Sequence, residues 1–484
     1  MENIQAKSKT IGLVLGPLVF LLIYLLVPTG VLTEKAITIL GLGSWMVIWW
    51  ATEAMPIPVT ALLPMVLFPL LSVSTIREAS QPYGDPVIFL FMGGFILALG
   101  LEKYNLHQRI ALNLIKITGT SGNGITLGFM LSTALISMWI SNTATAVMML
   151  PIATSVTALL AKEMGKQDDP EFKKFATGLM LSIAYAASIG GIATIIGTPP
   201  NVVMVGFMKR FYDLDVSFVK WMAVGIPLMI LVLASCYLLI TRVLFRNKLP
   251  VIEGSNELIQ TKLKEMGKLS KEEKFVLAIF SVTCFFWIFR QNINSLIGKN
   301  LLDDTTIAMA GGILMFLTPL DLKKSKFILE WHDMKGLPWG ILLLFGGGLC
   351  LADGMENSGL VQVMGQKISN QGNVGEGTLI FTLTAVSMGL TELMSNVALV
   401  TIFVPVVFGI ADGFQMSPLL LAMPVTFAAS CAFMMPISTP PNAILFASGH
   451  IRIKDMIKTG LLLNLCSLII IFVLAMTLMK WVFG

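Results

Sequence analysis

Two stretches decide the fold: Ser137-Met-Trp-Ile-Ser-Asn-Thr-Ala-Thr-Ala146 and, 254 residues further on, Thr391-Glu-Leu-Met-Ser-Asn-Val-Ala-Leu-Val400. Each sets a polar Ser-Asn step near the middle of an apolar run, 125–160 and 376–410, that is too long for one ordinary membrane crossing. Small polar residues at such a step cap the helix that follows, so both runs are predicted to be re-entrant helical hairpins.

Outward from these steps the sequence repeats in register. At the same offset of 254, Gly93-Gly94 falls on Gly347-Gly348, Gly100 on Gly354, Glu102 on Glu356 and Pro151 on Pro405. Thr198-Pro-Pro-Asn201 recurs as Thr439-Pro-Pro-Asn442, now offset by 241, because the charged loop Lys162 to Lys174 has no counterpart of equal length. Inside a membrane such duplication implies two structural repeats.

Of the 484 residues, 55% are hydrophobic and 13% charged, and the mean hydropathy is +0.82. That is too little polar surface to coat a water-soluble globule of this size. Runs at 11–27, 36–51, 58–73, 86–101, 178–208, 218–241, 275–289, 305–319, 338–352, 417–447 and 459–482 are each long enough, or nearly so, to cross about 30 Å of hydrocarbon. The expected fold is an all-α membrane protein of about eleven transmembrane helices plus two re-entrant hairpins. The first run leads into Val27-Pro-Thr-Gly30 without a small-residue cleavage site and reads as a retained helix. Cys236, Cys284, Cys350, Cys431 and Cys466 lie scattered in apolar segments, with no cluster around His107, His332 or His450. Neither a disulfide framework nor a zinc site is expected. HExxH and GxSxG are absent, which argues against an intramembrane enzyme.

With the N-terminus inside and the hairpins not crossing, the N-terminal segment and connections 102–124, 162–174, 242–274, 321–335 and 450–458 share the inner side and hold 24 of the 33 Lys and Arg. Positive charge is retained on the cytoplasmic side. This predicts a multi-pass protein of the plasma (cytoplasmic) membrane, N-terminus inside and C-terminus outside. The first hairpin then lies inside and the second outside, so the repeats are inverted, as in many secondary transporters. The basic loops read as anchors on the lipid bilayer, not as a nucleic-acid surface.

Each motif is also a helix start. Ser141-Asn142-Thr143 and Ser395-Asn396 offer capping side chains. Thr198 and Thr439 stand where an N-cap would, with Pro199 and Pro440 at the first helical position, where a missing N–H loses nothing. Four helix starts meeting near the midplane present roughly half a positive charge each, about +2 together, a match for a dicarboxylate. No Lys or Arg occurs in 117–161, 175–208 or 371–450. An anion held there must use backbone dipoles, hydroxyls, amides or a bound cation, and unwound carbonyls at the same breaks suit Na+. Ser, Thr and Pro also kink membrane helices for packing alone; their recurrence at four repeat-related positions is what points to a site. Gly93-Gly94 and Gly346 to Gly348 read as close helix packing, and the 30 methionines as adaptable apolar filling. Glu392, if buried, must be paired, hydrogen-bonded or protonated. A structural hydrogen-bonding role is expected, with proton coupling as the alternative. Glu53, Asp85, Glu102, Asp353 and Glu356 sit near span ends, where interfacial solvation is expected.

Residues 137–146, Ile196-Gly-Thr-Pro-Pro-Asn201, Thr391 to Asn396 and Ser438-Thr-Pro-Pro-Asn442 together resemble the divalent anion/sodium symporter family, over nearly the whole chain. The resemblance implies a homodimer of elevator-type transporters. Each protomer would have scaffold helices (1–120 and 251–374) and a mobile transport domain (121–250 and 375–484). It implies that Asn142, Thr143 and Asn396 hold the substrate carboxylates, with Ser141, Ser395 and Val397 in the same motifs and the turns Thr198-Pro199 and Thr439-Pro440 lining the site. It places Na+ near Ser137, Asn142 and Gly197, and near Thr391, Asn396 and Ser438. No organic cofactor is implied.

The chain departs from the family pattern at Val397, where a second Thr would stand. Valine has nearly the same shape but no hydroxyl. The expected function is secondary transport of C4 or C5 dicarboxylates such as succinate, malate or 2-oxoglutarate. The altered second motif inclines the reading to exchange (antiport). Na+-coupled symport of di- or tricarboxylates is the alternative, favoured by the lack of nearby Lys or Arg, since bound Na+ would help neutralise the substrate.

Overall fold

A computed structural model describes residues 2–30, 32–119, 121–164, 169–246, 253–369 and 374–483, and these are almost entirely helical. Helices α1 (Glu2–Leu26) and α2 (Glu34–Thr52) pack together. The run 58–73 is not one span. It divides into α3 (Ile57–Thr60) and α4 (Leu63–Leu70), because Pro64 has no N–H to continue the first helix and is tolerated only in the opening turn of the second. A capping box between Thr75 and Glu78 starts α5 (Ile76–Ser80). The Asp85 side chain accepts from the Val87 N–H to start α6 (Pro86–Lys103), and α7 (Leu106–Ile117) follows.

The first hairpin is α8 (Gly122–Ser137) and α9 (Asn142–Met164). Next, α10 (Pro170–Gly191) and α11 (Pro199–Tyr212) are separated by the unwound segment 192–198, and α12 (Phe218–Leu238) closes the half. The second half runs through α13 (Glu253–Glu265), α14 (Lys271–Ile297), α15 (Asp304–Leu317), a short hairpin of β1 (Pro319–Asp321) with β2 (Lys326–Phe327), and α16 (Trp339–Asn357). It continues with α17 (Leu360–Ser369), the second hairpin α18 (Glu376–Leu390) and α19 (Asn396–Gly413), the broken pair α20 (Pro418–Ala429) and α21 (Pro440–Phe446), then α22 (Ile453–Leu474) and α23 (Lys480–Phe483).

The repeat is realised helix by helix. Helices α7, α8 and α9 begin at 106, 122 and 142, and α17, α18 and α19 begin 254 residues later, at 360, 376 and 396. Helices α11 and α21 begin at 199 and 440, the 241 offset. Among the described residues, eight helices are long and apolar enough to cross a membrane, against eleven apolar runs. Six of the runs are among the eight, and the other two of the eight are the hairpin helices α9 and α19, whereas 36–51, 58–73, 178–208, 305–319 and 417–447 are not among them. Prolines divide 58–73, the Thr-Pro-Pro breaks divide 178–208 and 417–447, and α15 is only 14 residues long.

The glycine runs serve close packing. A Cβ at Gly93 would stand 2.5 Å from the backbone carbon of Ala308, where α6 meets α15, and one at Gly347 would collide with the backbone of Ala61. On the loop side, Arg109 of α7 donates through Nε and Nη2 to both carboxylate oxygens of Glu273 at 2.7 and 3.1 Å, tying α7 to the start of α14. Both side chains are buried, and the Gly267 and Met266 carbonyls accept from Nη1 and Nη2.

Candidate functional site

The two halves build the same cradle. Ser137 ends α8 and Asn142 begins α9, and the Ser137 Oγ lies 2.7 Å from Asn142 Oδ1 and 2.6 Å from the Ala187 carbonyl. In the second half Thr391 Oγ1 lies 2.8 Å from Asn396 Oδ1 and 2.5 Å from the Ala429 carbonyl. A hydroxyl has one proton to donate. Each cradle therefore crowds three oxygens round a single hydrogen, an acceptor surplus that a small cation relieves. Ser137 and Thr391 are fully buried, whereas Asn142 and Asn396 are half-buried. With Oδ1 turned to the hydroxyl, the Nδ2 donors of both asparagines make no hydrogen bond among the described residues.

More oxygens close in on the first cradle. A Cβ at Gly191 would stand 2.6 Å from Asn142 Oδ1 and 3.1 Å from the Gly197 carbonyl; one at Gly197 would stand 2.6 Å from the Gly191 carbonyl and 3.0 Å from that of Met138. Glycine at both places leaves the room these oxygens share. Hydroxyl, amide and carbonyl oxygens without a fixed positive charge form a donor set that fits Na+. Among the described residues no group of three His, Cys, Asp or Glu side chains could hold a metal ion.

The unwound turns are laced by asparagines that the sequence motifs contain but that were not assigned to the site. Asn201 Nδ2 donates to the carbonyls of Gly191 and Thr194 at 3.0 and 2.8 Å. Asn442 Nδ2 donates to those of Ala432 and Met435 at 3.0 and 3.1 Å, each partner shifted by 241. Both asparagines are fully buried, and among the described residues their Oδ1 atoms have no partner, like the hydroxyls of buried Ser188 and Ser430. The signal was available, because Ala-Ala-Ser precedes both turns (186–188 and 428–430) as Pro-Pro-Asn follows them.

The expected caps are half realised. Ser141 Oγ accepts from the Ala144 N–H at 3.2 Å and Thr439 Oγ1 from the Asn442 N–H at 3.4 Å. Thr198 and Ser395 make no side-chain cap. At Thr198 the backbone carbonyl takes the Asn201 N–H instead, at 3.2 Å, which leaves both hydroxyls for other work. Thr143 and Pro440 are exposed, Ser141, Pro199, Ser395 and Val397 are half-buried, and Thr198, Thr439 and Ser438 are buried. Each broken helix packs on the hairpin of the other repeat: α11 on α19, which starts at Asn396, and α21 on α9, which starts at Asn142.

Glu392 has the hydrogen-bonding role expected of it. Its buried carboxylate accepts from the N–H groups of Phe433 and Met434 at 2.9 and 3.0 Å, from Ser438 Oγ at 2.8 Å and from Asn464 Nδ2 at 2.8 Å. Asp85 and Asp353, expected to be solvated at the interface, are instead paired. Arg210 Nε and Nη2 each donate to Asp353 at 2.7 Å, and Nη1 reaches Asp85 at 3.4 Å. Cavities of about 630 and 370 Å3 flank this pair, and Arg210 and Asp353 line both. Ile195, in the first unwound turn, lines the larger one.

Residues 7–484 match the family model described as the sodium:sulfate symporter transmembrane region. The chain is 40% identical over 480 residues to the sodium-dependent dicarboxylate transporter SdcS of Staphylococcus saprophyticus, a match covering 99% of this chain and 92% of that one. With SdcS of Staphylococcus aureus strain USA300 it shares 41% over 485 residues, covering 99% and 93%. Its fold is similar to the crystal structure of the Alcanivorax borkumensis YdaH transporter, with a TM-score of 0.57 and 13% identity over 91% of this chain and 98% of that one. With both repeats and both cradles inside the matched span, the chain is a membrane transporter, not an enzyme, and belongs to the sodium:sulfate symporter family.

Proposed function

We propose that the protein carries small dicarboxylates of the succinate, malate and 2-oxoglutarate class across the cytoplasmic membrane by symport with Na+. The observation that carries this reading is the pair of oxygen cradles at Ser137/Asn142 and Thr391/Asn396, in segments without Lys or Arg. A dianion there has no fixed positive side chain beside it, and one Na+ in each cradle balances its two charges. The uncommitted Nδ2 groups of Asn142 and Asn396, with Ser141, Thr143 and Ser395, then face the carboxylates. Thr198-Pro199 and Thr439-Pro440 form the walls.

This replaces the exchange reading built on Val397. Relatives matching along the whole chain are named sodium-dependent. The hydroxyl against Asn396 Oδ1 comes from Thr391, so Val397 removes no oxygen from that contact. Valine alters the substrate side and leaves the cation side intact.

The reading includes an elevator cycle in a homodimer. The transport domain is 121–250 with 375–484, inverted in its two halves, and the scaffold is 1–120 with 251–374. Its support is that α11 and α19 pack on α16, whereas α9 and α21 pack chiefly on each other and on α10. With the N-terminus inside, the Arg210–Asp353 pair joins the two domains on the outer side. In proteoliposomes without internal dicarboxylate, an inward Na+ gradient is expected to drive succinate uptake. Uptake that ignores Na+ and requires internal dicarboxylate would overturn the proposal.

A further inference from the structure

The two cradles are alike in backbone and unlike in charge. At the 254 offset the counterpart of Glu392 is Met138, and at the 241 offset the counterpart of Ser438 is Gly197. In the first half the carbonyl of Met138 accepts from Thr194 Oγ1 at 2.5 Å, and among the described residues no acidic side chain is hydrogen-bonded in that cradle. In the second half Ser438 Oγ stands 3.0 Å from the Glu392 carbonyl and 2.8 Å from its Oε2. We infer that Glu392, acting through Ser438, is a fixed negative charge that makes the second-repeat cradle the tighter of the two Na+ sites and the first to fill. The inference rests on the symport reading above.

The geometry supports a charge that stays in place. All four partners of the carboxylate are donors: two backbone N–H groups, one hydroxyl and one amide. That arrangement suits an anion and holds it rigidly. Ser438 has one proton, directed at Glu392, so its oxygen lone pairs are left for another partner. A hydroxyl that donates to a carboxylate is a stronger cation ligand than a free one, as second-shell partners are for metal ligands generally. Thr391, the residue adjoining Glu392, supplies the hydroxyl to Asn396 Oδ1, so carboxylate and cradle are one peptide unit apart. With one hydroxyl between carboxylate and cation, the two charges would be separated by on the order of 5 Å. At an effective dielectric of about 20 that is worth roughly two orders of magnitude in affinity. Among the described residues the first cradle has no such charge. Glu392 is thus a positioning residue for Na+, distinct from the residues that face the substrate.

The test uses purified full-length protein without substrate and reads thermal unfolding against NaCl at constant ionic strength. Wild type should be stabilised in two phases separated by at least tenfold in Na+. Glu392→Gln, which keeps the shape and an acceptor for the backbone N–H groups, should move the low-concentration phase at least tenfold upward, and Glu392→Asp should restore most of it. Asn464→Ala removes one donor and keeps the charge; it should lower the melting temperature at all Na+ concentrations without moving the phase. A single wild-type phase, an unmoved phase in Glu392→Gln, or equal shifts in Glu392→Gln and Asn464→Ala would each overturn the inference while leaving Na+ binding intact. A wild type that Na+ does not stabilise would overturn the symport reading itself, and this inference with it.

Discussion

Asp353→Asn should release the contact between α11 and α16. Arg210 holds Asp353 through two bonds of 2.7 Å, while its bond to Asp85 is longer, at 3.4 Å. The Arg210 and Asp353 side chains are 27% and 18% exposed, so the pair is partly shielded from water and salt. Asparagine keeps the volume, replaces two bonds between opposite charges with one from the guanidinium to a neutral amide oxygen, and leaves Arg210 with Asp85 and water. Hydrogen bonds to charged groups contribute about 1.5–3 kcal/mol, and the remaining partners return part of this, so the net loss is about 1–2 kcal/mol. If α11 moves against α6 and α16 during transport, this bond exists in only one end state, and the substitution depletes that state roughly 5- to 30-fold. Spin labels at Lys209 on α11 and Lys35 on α2, both on the side of the Arg210–Asp353 pair, would report the shift as a new distance population. Arg210→Met should give a similar shift, and the double substitution should fall short of the sum of the two. An unchanged distance distribution in Asp353→Asn, or strictly additive effects, would show that the pair does not hold the domains together.

Asn142→Ala and Asn396→Ala should each abolish dicarboxylate binding by calorimetry with melting temperatures near wild type, since both sit half-buried at helix starts; unchanged uptake in both removes the proposed site. Val397→Thr should change dicarboxylate affinity and leave Na+ affinity within about twofold, because Thr391 already supplies the hydroxyl at Asn396; an altered Na+ dependence with constant substrate affinity would contradict the cradle geometry. Asp333, in the loop before α16, is raised by burial, but the Glu330 N–H and the Lys103 ammonium outweigh that and hold its carboxyl below the usual range. A lowered carboxyl stabilises the folded state above its ordinary value of about 3.9 and loses that contribution as pH falls through the lower folded value. Amide exchange of 330–333 should therefore be flat near neutrality and rise only below about pH 4 beyond its intrinsic pH trend, with Asp333→Asn faster at pH 7. Gly93→Ala, whose Cβ would stand 2.5 Å from the Ala308 backbone, should cost about 1–3 kcal/mol, seen as a lower melting temperature without a change in Na+ dependence.

Helix starts, the two hairpins and the repeat were legible in the chain because their signals are local. A capping residue, a proline in the first turn and the length of an apolar run act over a few residues. The candidate site was legible to the same depth: Ser137, Asn142, Thr391 and Asn396 stand within five residues of one another in each half, and the lack of Lys and Arg around them is a property of composition. What the tertiary structure decided are the contacts between distant segments. Arg210 finds Asp85 and Asp353 across 125 and 143 residues, and Glu392 draws its donors from 41 to 72 residues away. No periodicity selects one buried polar partner among many, because that choice is made by which helices pack, and by the cost of leaving a buried donor or acceptor unpaired. The asparagines that lace the unwound turns belong to the same class: their motif was visible, but their partners, seven and ten residues back, become reachable only once the helix is broken. The sequence by itself determined where helices begin and that the segments of the candidate site contain no fixed positive charge. Only the packed structure decided which oxygens face one another across it, and that one cradle has a carboxylate beside it and the other does not.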